Sequence, residues 1–118
     1  MSAGLTVRWS LAQAPADVAQ KLRSYVTESS HSRFEELEGL RFKTWRMREG
    51  EWFEGIYVFI DDAARQKFAQ DFAAKAAGSP GSVLIGSGPI LIEESEIVAV
   101  AIGPEGAQSL PLGERQMN

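Results

Sequence analysis

Cysteine is absent from this chain, and histidine occurs once, at His31. Without cysteine there are no disulfides, thiolate nucleophiles or sulfur-ligated metals. One histidine is too few for the multi-histidine zinc sites of enzymes. His31 and Glu35 would share a face if a helix ran that far, yet one such pair does not make a metal site. The expectation is a chain with neither metal nor cofactor. No apolar run approaches 18 residues, so no transmembrane helix is expected. Met1 to Leu11 carry no basic patch followed by an apolar stretch, so no secretory signal is expected, and the cytoplasm is the simplest location. Charge of one sign is also scarce. Twelve Lys and Arg against sixteen Asp and Glu leave a net charge of −4. That balance has no electrostatic footprint for nucleic acid or an anionic membrane.

What remains is ordinary globular material, 44% hydrophobic over 118 residues, enough for one core. Leu5-Thr6-Val7-Arg8-Trp9-Ser10-Leu11 alternates apolar and polar, the period of a half-buried strand. Pro15 suits the first turn of a helix. Val18, Leu22, Tyr25 and Ser29, with Ala19 and Val26, then recur at helical spacing. A polar stretch, Ser29 to Glu38, leads to Gly39. Leu40 to Arg48 and Trp52 to Ile60 read as two strands joined by the turn Glu49-Gly50-Glu51, a hairpin. Asp61 or Asp62 caps a second helix over 63–77, ended by Gly78. After a Gly/Ser/Pro loop holding the apolar insert Val83-Leu84-Ile85, Ile90 to Ile102 reads as the last strand, bent near Ser95. Residues 1–103 form the domain, and 104–118 a flexible C-terminal tail.

The order strand, helix, strand, strand, helix, strand is the split βαβ pattern. The expected fold class is α+β: a ferredoxin-like βαββαβ domain, a four-stranded antiparallel sheet with two helices on one face. Two short helices leave the other face bare. Trp52, Ile56, Val58 and Ile60 lie on one side of the third strand, and Phe53, Tyr57 and Phe59 on the other. Apolar surface of that extent is unusual on a monomer. The open face is therefore expected to pack against a second copy, making a homodimer. Arg8 falls in the middle of that face. It must meet an acid of the partner or line a polar pocket between the subunits.

Motifs that carry chemistry are sparse. Gly81 to Ser87 has the glycine spacing of a phosphate loop but lacks its lysine and follows a helix, so a flexible connection is the reading. His31 could act as a general base. The strand aromatics Trp9, Phe42, Trp45, Trp52, Phe53, Tyr57 and Phe59 suit core and interface. They also suit a flat apolar pocket with polar contacts from Arg8, Lys43 or Tyr57. Which of them share a face depends on hairpin register. A two-residue turn at Gly50-Glu51 sets Thr44 opposite Tyr57, and a one-residue slip sets Trp45 there.

Gly39-Leu40-Arg41-Phe42-Lys43-Thr44-Trp45, then Glu54-Gly55-Ile56-Tyr57-Val58-Phe59, then the Asp61/Asp62 helix start, resemble the YdhR-type monooxygenase family of the dimeric α+β barrel superfamily. The strand Ile97 to Ala101 after an acidic stretch is also similar. Glu54 stands where a second glycine belongs to the pattern. The resemblance spans residues 5 to 102. It implies a dimeric α+β barrel and a cofactor-independent monooxygenase acting on a small aromatic or quinol substrate. The alternative on the same fold is a non-catalytic homodimer that binds a small ligand. On the oxygenase reading Lys43 and Arg8 favour a substrate anion, while Trp45, Tyr57 and Phe59 sandwich a ring. No catalytic residues carry over from the family.

Overall fold

The computed structural model describes residues 2–106. Most of the tail expected from residue 104 therefore lies outside the described residues. Four strands, β1 (Ala3–Ser10), β2 (Leu40–Arg48), β3 (Trp52–Phe59) and β4 (Leu91–Glu96), form one sheet in the order β2-β3-β1-β4. Every neighbouring pair is antiparallel. This is the ferredoxin-like α+β arrangement that the element order implied.

The alternation in β1 sets the two faces of the sheet. Leu5, Val7 and Trp9, with Leu11 just beyond the strand, are 5% exposed or less, and β3 adds Phe53, Tyr57 and Phe59 to the same side. Helices cover this side. Asp61 caps α3 (Asp62–Lys75) by accepting the Ala64 N–H at 2.8 Å, and Phe68 and Phe72 of α3 pack on the core. The insert Val83-Leu84-Ile85 belongs to a short helix, α4 (Pro80–Ile85), capped by Ser79 and closed by Gly86 at φ +89°. It buries Ile85 and holds β1 through the Trp9 indole N–H, which donates to Ser82 Oγ at 2.9 Å.

The first helix runs further than its apolar pattern suggested. It comprises α1 (Val18–Tyr25), a π-turn (Val26–Ser30) and α2 (His31–Glu35) without a break. Its buried positions are Val18, Leu22, Ser30 and Phe34, with Val26 packed against the core; Ser29 is exposed. That is a strict four-residue repeat. On an ideal helix such a repeat drifts by ~40° per step, because 3.6 residues complete a turn. In the π-turn the His31 N–H bonds the Val26 carbonyl, five residues back. The wider turn absorbs part of the drift and keeps Phe34 on the sheet. The polar stretch from Ser29 to Glu38 is thus largely helical, with Phe34 its inward anchor.

Two other expectations are corrected. The turn is Glu49 to Glu51 as expected, with Gly50 at φ +76° and the Glu51 N–H on the Arg48 carbonyl at 2.9 Å, but the register is neither of the two expected for it. Arg48 therefore pairs with Trp52, and Lys43, neither Thr44 nor Trp45, stands opposite Tyr57. The last strand ends at Glu96 instead of running to Ile102. Glu96 pairs with Ala3, the first residue of β1. Beyond Glu96 the chain leaves the ladder, and Val98, Val100 and Ile102 are exposed.

Candidate functional site

Gly55 sits in the middle of β3, opposite Val7 on one side and Trp45 on the other. All three positions face the helices. A Cβ added to Gly55 would lie 3.1 Å from Lys43 Cε, 3.1 Å from Tyr57 Cε1 and 3.3 Å from the Tyr57 hydroxyl. The missing side chain thus leaves a notch in the sheet surface where the lysine stem and the tyrosine ring meet.

Phe34 closes the notch from the helix layer. The Lys43 Nζ lies 3.5 Å from the Phe34 ring centre, 4.3 Å from that of Tyr57 and 4.4 Å from that of Trp45. Three ring faces thus surround one amine. Behind them, Tyr57 stacks parallel to Phe59 at 6.0 Å, and Phe68 packs on both. His31, the first residue after the π-turn, lies against Trp45 at 5.8 Å, and its Nδ1 is 3.5 Å from Glu35 Oε1. Arg33 donates to the Tyr25 hydroxyl at 2.8 Å.

Electrostatics in this cluster oppose charge on the amine. Burial strips water from the Lys43 ammonium, and the nearby Arg33 guanidinium repels it, so the pKa falls well below the ordinary lysine value of 10.5. The ring faces act in the other direction, since they attract a cation. No carboxylate pairs with Lys43 among the described residues. Burial, with a smaller push from Tyr25 that outweighs the pull of Arg33, raises the Tyr57 pKa. Tyr57 therefore keeps its proton throughout the neutral range.

Of the residues expected to form a site, the fold brings Lys43, Trp45, Tyr57 and Phe59 together on the helix side. Phe59 is fully buried and backs Tyr57, so a ligand reaching the cluster meets Trp45, which is only partly buried, before it meets Phe59. Arg8 is separated from them by the sheet. It lies on the open face, where its Nε donates to Glu54 Oε2 at 2.8 Å. Arg46 takes the other carboxylate oxygen through its own Nε. Trp52 lies under both guanidiniums, 4.5 Å from Arg8 and 5.0 Å from Arg46. The acid that holds Arg8 thus comes from the neighbouring strand of its own chain. Burial alone would raise the Glu54 pKa, but the hydrogen bonds and charges of Arg8 and Arg46 outweigh it and hold the group below its ordinary value.

Sequence reasoning missed Phe34 and Arg33 as parts of the site. The four-residue spacing from Val18 to Phe34 was the available signal. A separate open cleft of about 360 Å³ lies at the β4 edge, between Ser2, Asp62, Arg65, Glu94, Ser95 and Glu96. Arg65 spans it, donating to the Ser95 carbonyl at 2.7 Å and lying 3.7 Å from both Asp62 and Glu94. It clips α3 to the sheet edge.

No protein-family model and no curated protein matches the chain. Among solved structures it is similar to NE2512, a protein of unknown function from Nitrosomonas europaea. The TM-score is 0.62 and the identity 22%, over 86% of this chain and 94% of that one. Rv0793 from Mycobacterium tuberculosis aligns with a TM-score of 0.49 at 11% identity, over 86% of this chain and 97% of that one. The likeness to NE2512 establishes a shared small α+β fold. No helix among the described residues is long and apolar enough to cross a membrane.

Proposed function

We propose that this chain is a cytoplasmic, cofactor-independent monooxygenase for a small aromatic or quinol substrate, with its site at Lys43 and Trp45. The carrying observation is the Lys43 amine under three aromatic rings, shifted toward its free base. Aromatic walls suit a planar substrate, and an amine shifted toward its free base beside them suits a phenol with a proton to lose. The resemblance of the hairpin to YdhR-type monooxygenases supports the same reading, as does the placement of the π-turn beside His31 and Arg33, since such turns recur at functional sites.

In this chemistry the substrate supplies the electrons. Lys43 accepts the phenolic proton, and the resulting ammonium stabilises the anion. The anion reacts with dioxygen at an activated ring carbon bearing hydrogen. One oxygen atom remains as the new quinone carbonyl, and the other leaves as water with both hydrogens lost by the substrate. Exclusion of bulk water by Phe34 and Trp45 strengthens the ammonium–anion attraction.

The proposal includes a homodimer formed through the open face. Phe42 is 42% exposed and Leu91 37% on that side, with Ile56 and Trp52 only partly covered between them. A second sheet is the natural cover for such a surface.

Oxygen uptake with a panel of hydroquinones and naphthols in metal-free buffer tests the activity. Turnover by the wild type is expected, with a loss of about 10²-fold or more in Lys43→Met. Binding of the same compounds without oxygen uptake would instead favour a non-catalytic ligand-binding dimer.

A further inference from the structure

Above Gly55 the Lys43 stem meets the Tyr57 phenol, and the Lys43 amine lies among three rings with no described acid paired to it. We propose that Lys43 captures small aromatic aldehydes as an imine at its Nζ. The inference does not depend on oxygen chemistry and stands apart from the oxygenase reading.

Three geometric facts carry it. Nζ is held within 3.5–4.4 Å of the Phe34, Tyr57 and Trp45 ring centres, so a planar aromatic carbonyl bound beside Trp45 has ring faces to pack on at the nucleophile. The Tyr57 hydroxyl and Lys43 Cε both come within 3.3 Å of the same point above Gly55, and Nζ lies 4.3 Å from the Tyr57 ring centre, so a phenol belongs to the same cluster as the amine. The remaining lysines, Lys21, Lys67 and Lys75, are exposed on helices, away from such rings. Lys21 lies 3.2 Å from Asp17.

The reaction is a condensation with no redox change. The Nζ lone pair attacks the carbonyl carbon, and the C=O π pair moves to oxygen, which takes up a proton. The tetrahedral carbinolamine then loses its hydroxyl, protonated by Tyr57, as water, while the nitrogen gives up its second proton and Tyr57 recovers its own. A C=N bond replaces the C=O bond. The charged and titratable groups around the amine are Arg33, His31 and Glu35 from α2, Tyr25 from α1 and Tyr57 from β3. Arg33 is the one whose charge acts on Lys43. It adds to the larger effect of burial in shifting the amine toward its nucleophilic free base, and each unit of pKa depression raises the free-base fraction about tenfold.

Intact protein treated with benzaldehyde and sodium cyanoborohydride at pH 7, followed by peptide mass mapping, tests the assignment. One benzyl group on Lys43 is expected, formed at least about tenfold faster than on Lys21, Lys67 or Lys75. In urea the preference should vanish, so the wild type serves as its own control even if Lys43→Arg fails to fold. Arg33→Gln should slow capture at pH 7 by raising the amine's pKa. Labelling spread evenly over the four lysines, or a Lys43 that stays unmodified while the others react, would overturn the proposal. Oxygen uptake is measured separately, so either reading can fail without the other.

Discussion

Lys43 and Tyr57 face each other across the β2–β3 ladder, the amine 4.3 Å from the centre of the phenol ring and Gly55 beneath both. Burial moves their pKa values apart, lowering one and raising the other. Both shifts favour the uncharged form, so one group moves toward accepting a proton while the other holds its own. Lys43, a candidate polar contact already in the sequence, lies in the middle of the helix-side aromatic cluster.

Replacing Lys43 by Met should stabilise the fold at pH 7, on the order of 1 kcal/mol for each unit of pKa depression relieved. The sign follows from proton counting. With its folded pKa lowered, the native state binds fewer protons than the unfolded chain between that value and 10.5. Wild-type stability therefore rises with pH across this window, and the advantage of the variant disappears above it. Urea unfolding at pH 7 and at pH 10.5 measures both limbs. Equal wild-type stability at the two pH values would mean that the three rings offset desolvation.

Gly55→Ala should destabilise by about 1–3 kcal/mol, the usual range for overpacking. Alanine in a strand is otherwise favoured over glycine, so the sign depends on what can move. The Lys43 stem is flexible. Tyr57 is not, being packed by Phe34, Phe59 and Phe68. Thermal unfolding tests the sign, and an unchanged or raised Tm would show that Tyr57 yields.

Glu54→Gln should cost roughly 1–3 kcal/mol, less than a wholly buried ion pair, because Arg8 and Arg46 keep 32% and 53% of their side chains exposed. The folded pKa of Glu54 is lowered from 4.5. Its contribution is therefore fully present above that value and is lost as pH falls through the folded pKa. Acid denaturation followed by circular dichroism should show a shallower decline below about pH 4.5 for the variant than for the wild type.

Phe42→Glu tests the bare face. Phe42 is 42% exposed, so the monomer fold should change by about 0.5 kcal/mol or less, while association through the open face weakens. Sedimentation at micromolar concentration should show a dimer for the wild type and a shift toward monomer for the variant. A monomeric wild type would remove the dimer proposal outright.

The legible parts of this molecule are those governed by local periodicity. The alternation from Leu5 to Leu11 correctly divided β1 between two faces, and the Phe53, Tyr57, Phe59 alternation did the same for β3. Asp61 announced α3 because a carboxylate before an alanine-rich run satisfies orphan N–H groups. Phe34 was hidden because a four-residue repeat does not fit the helical period until a π-turn is placed inside it. Glu54 was visible only as a departure from a family pattern. Its purpose emerged once the register set it between Arg8 and Arg46.

By itself the sequence determined the order of the strands and main helices, the topology they imply and which residues share a face within β1 and within β3, because these follow from short-range periods and capping chemistry. Only the tertiary structure decided which residues meet across strands. One residue more in the hairpin loop shifts every β2 partner along β3, and that shift set Lys43 instead of Thr44 against Tyr57. It also decided where β4 stops, at Glu96 opposite Ala3, because a strand's length is set by pairing with its neighbour, which short-range periodicity does not encode.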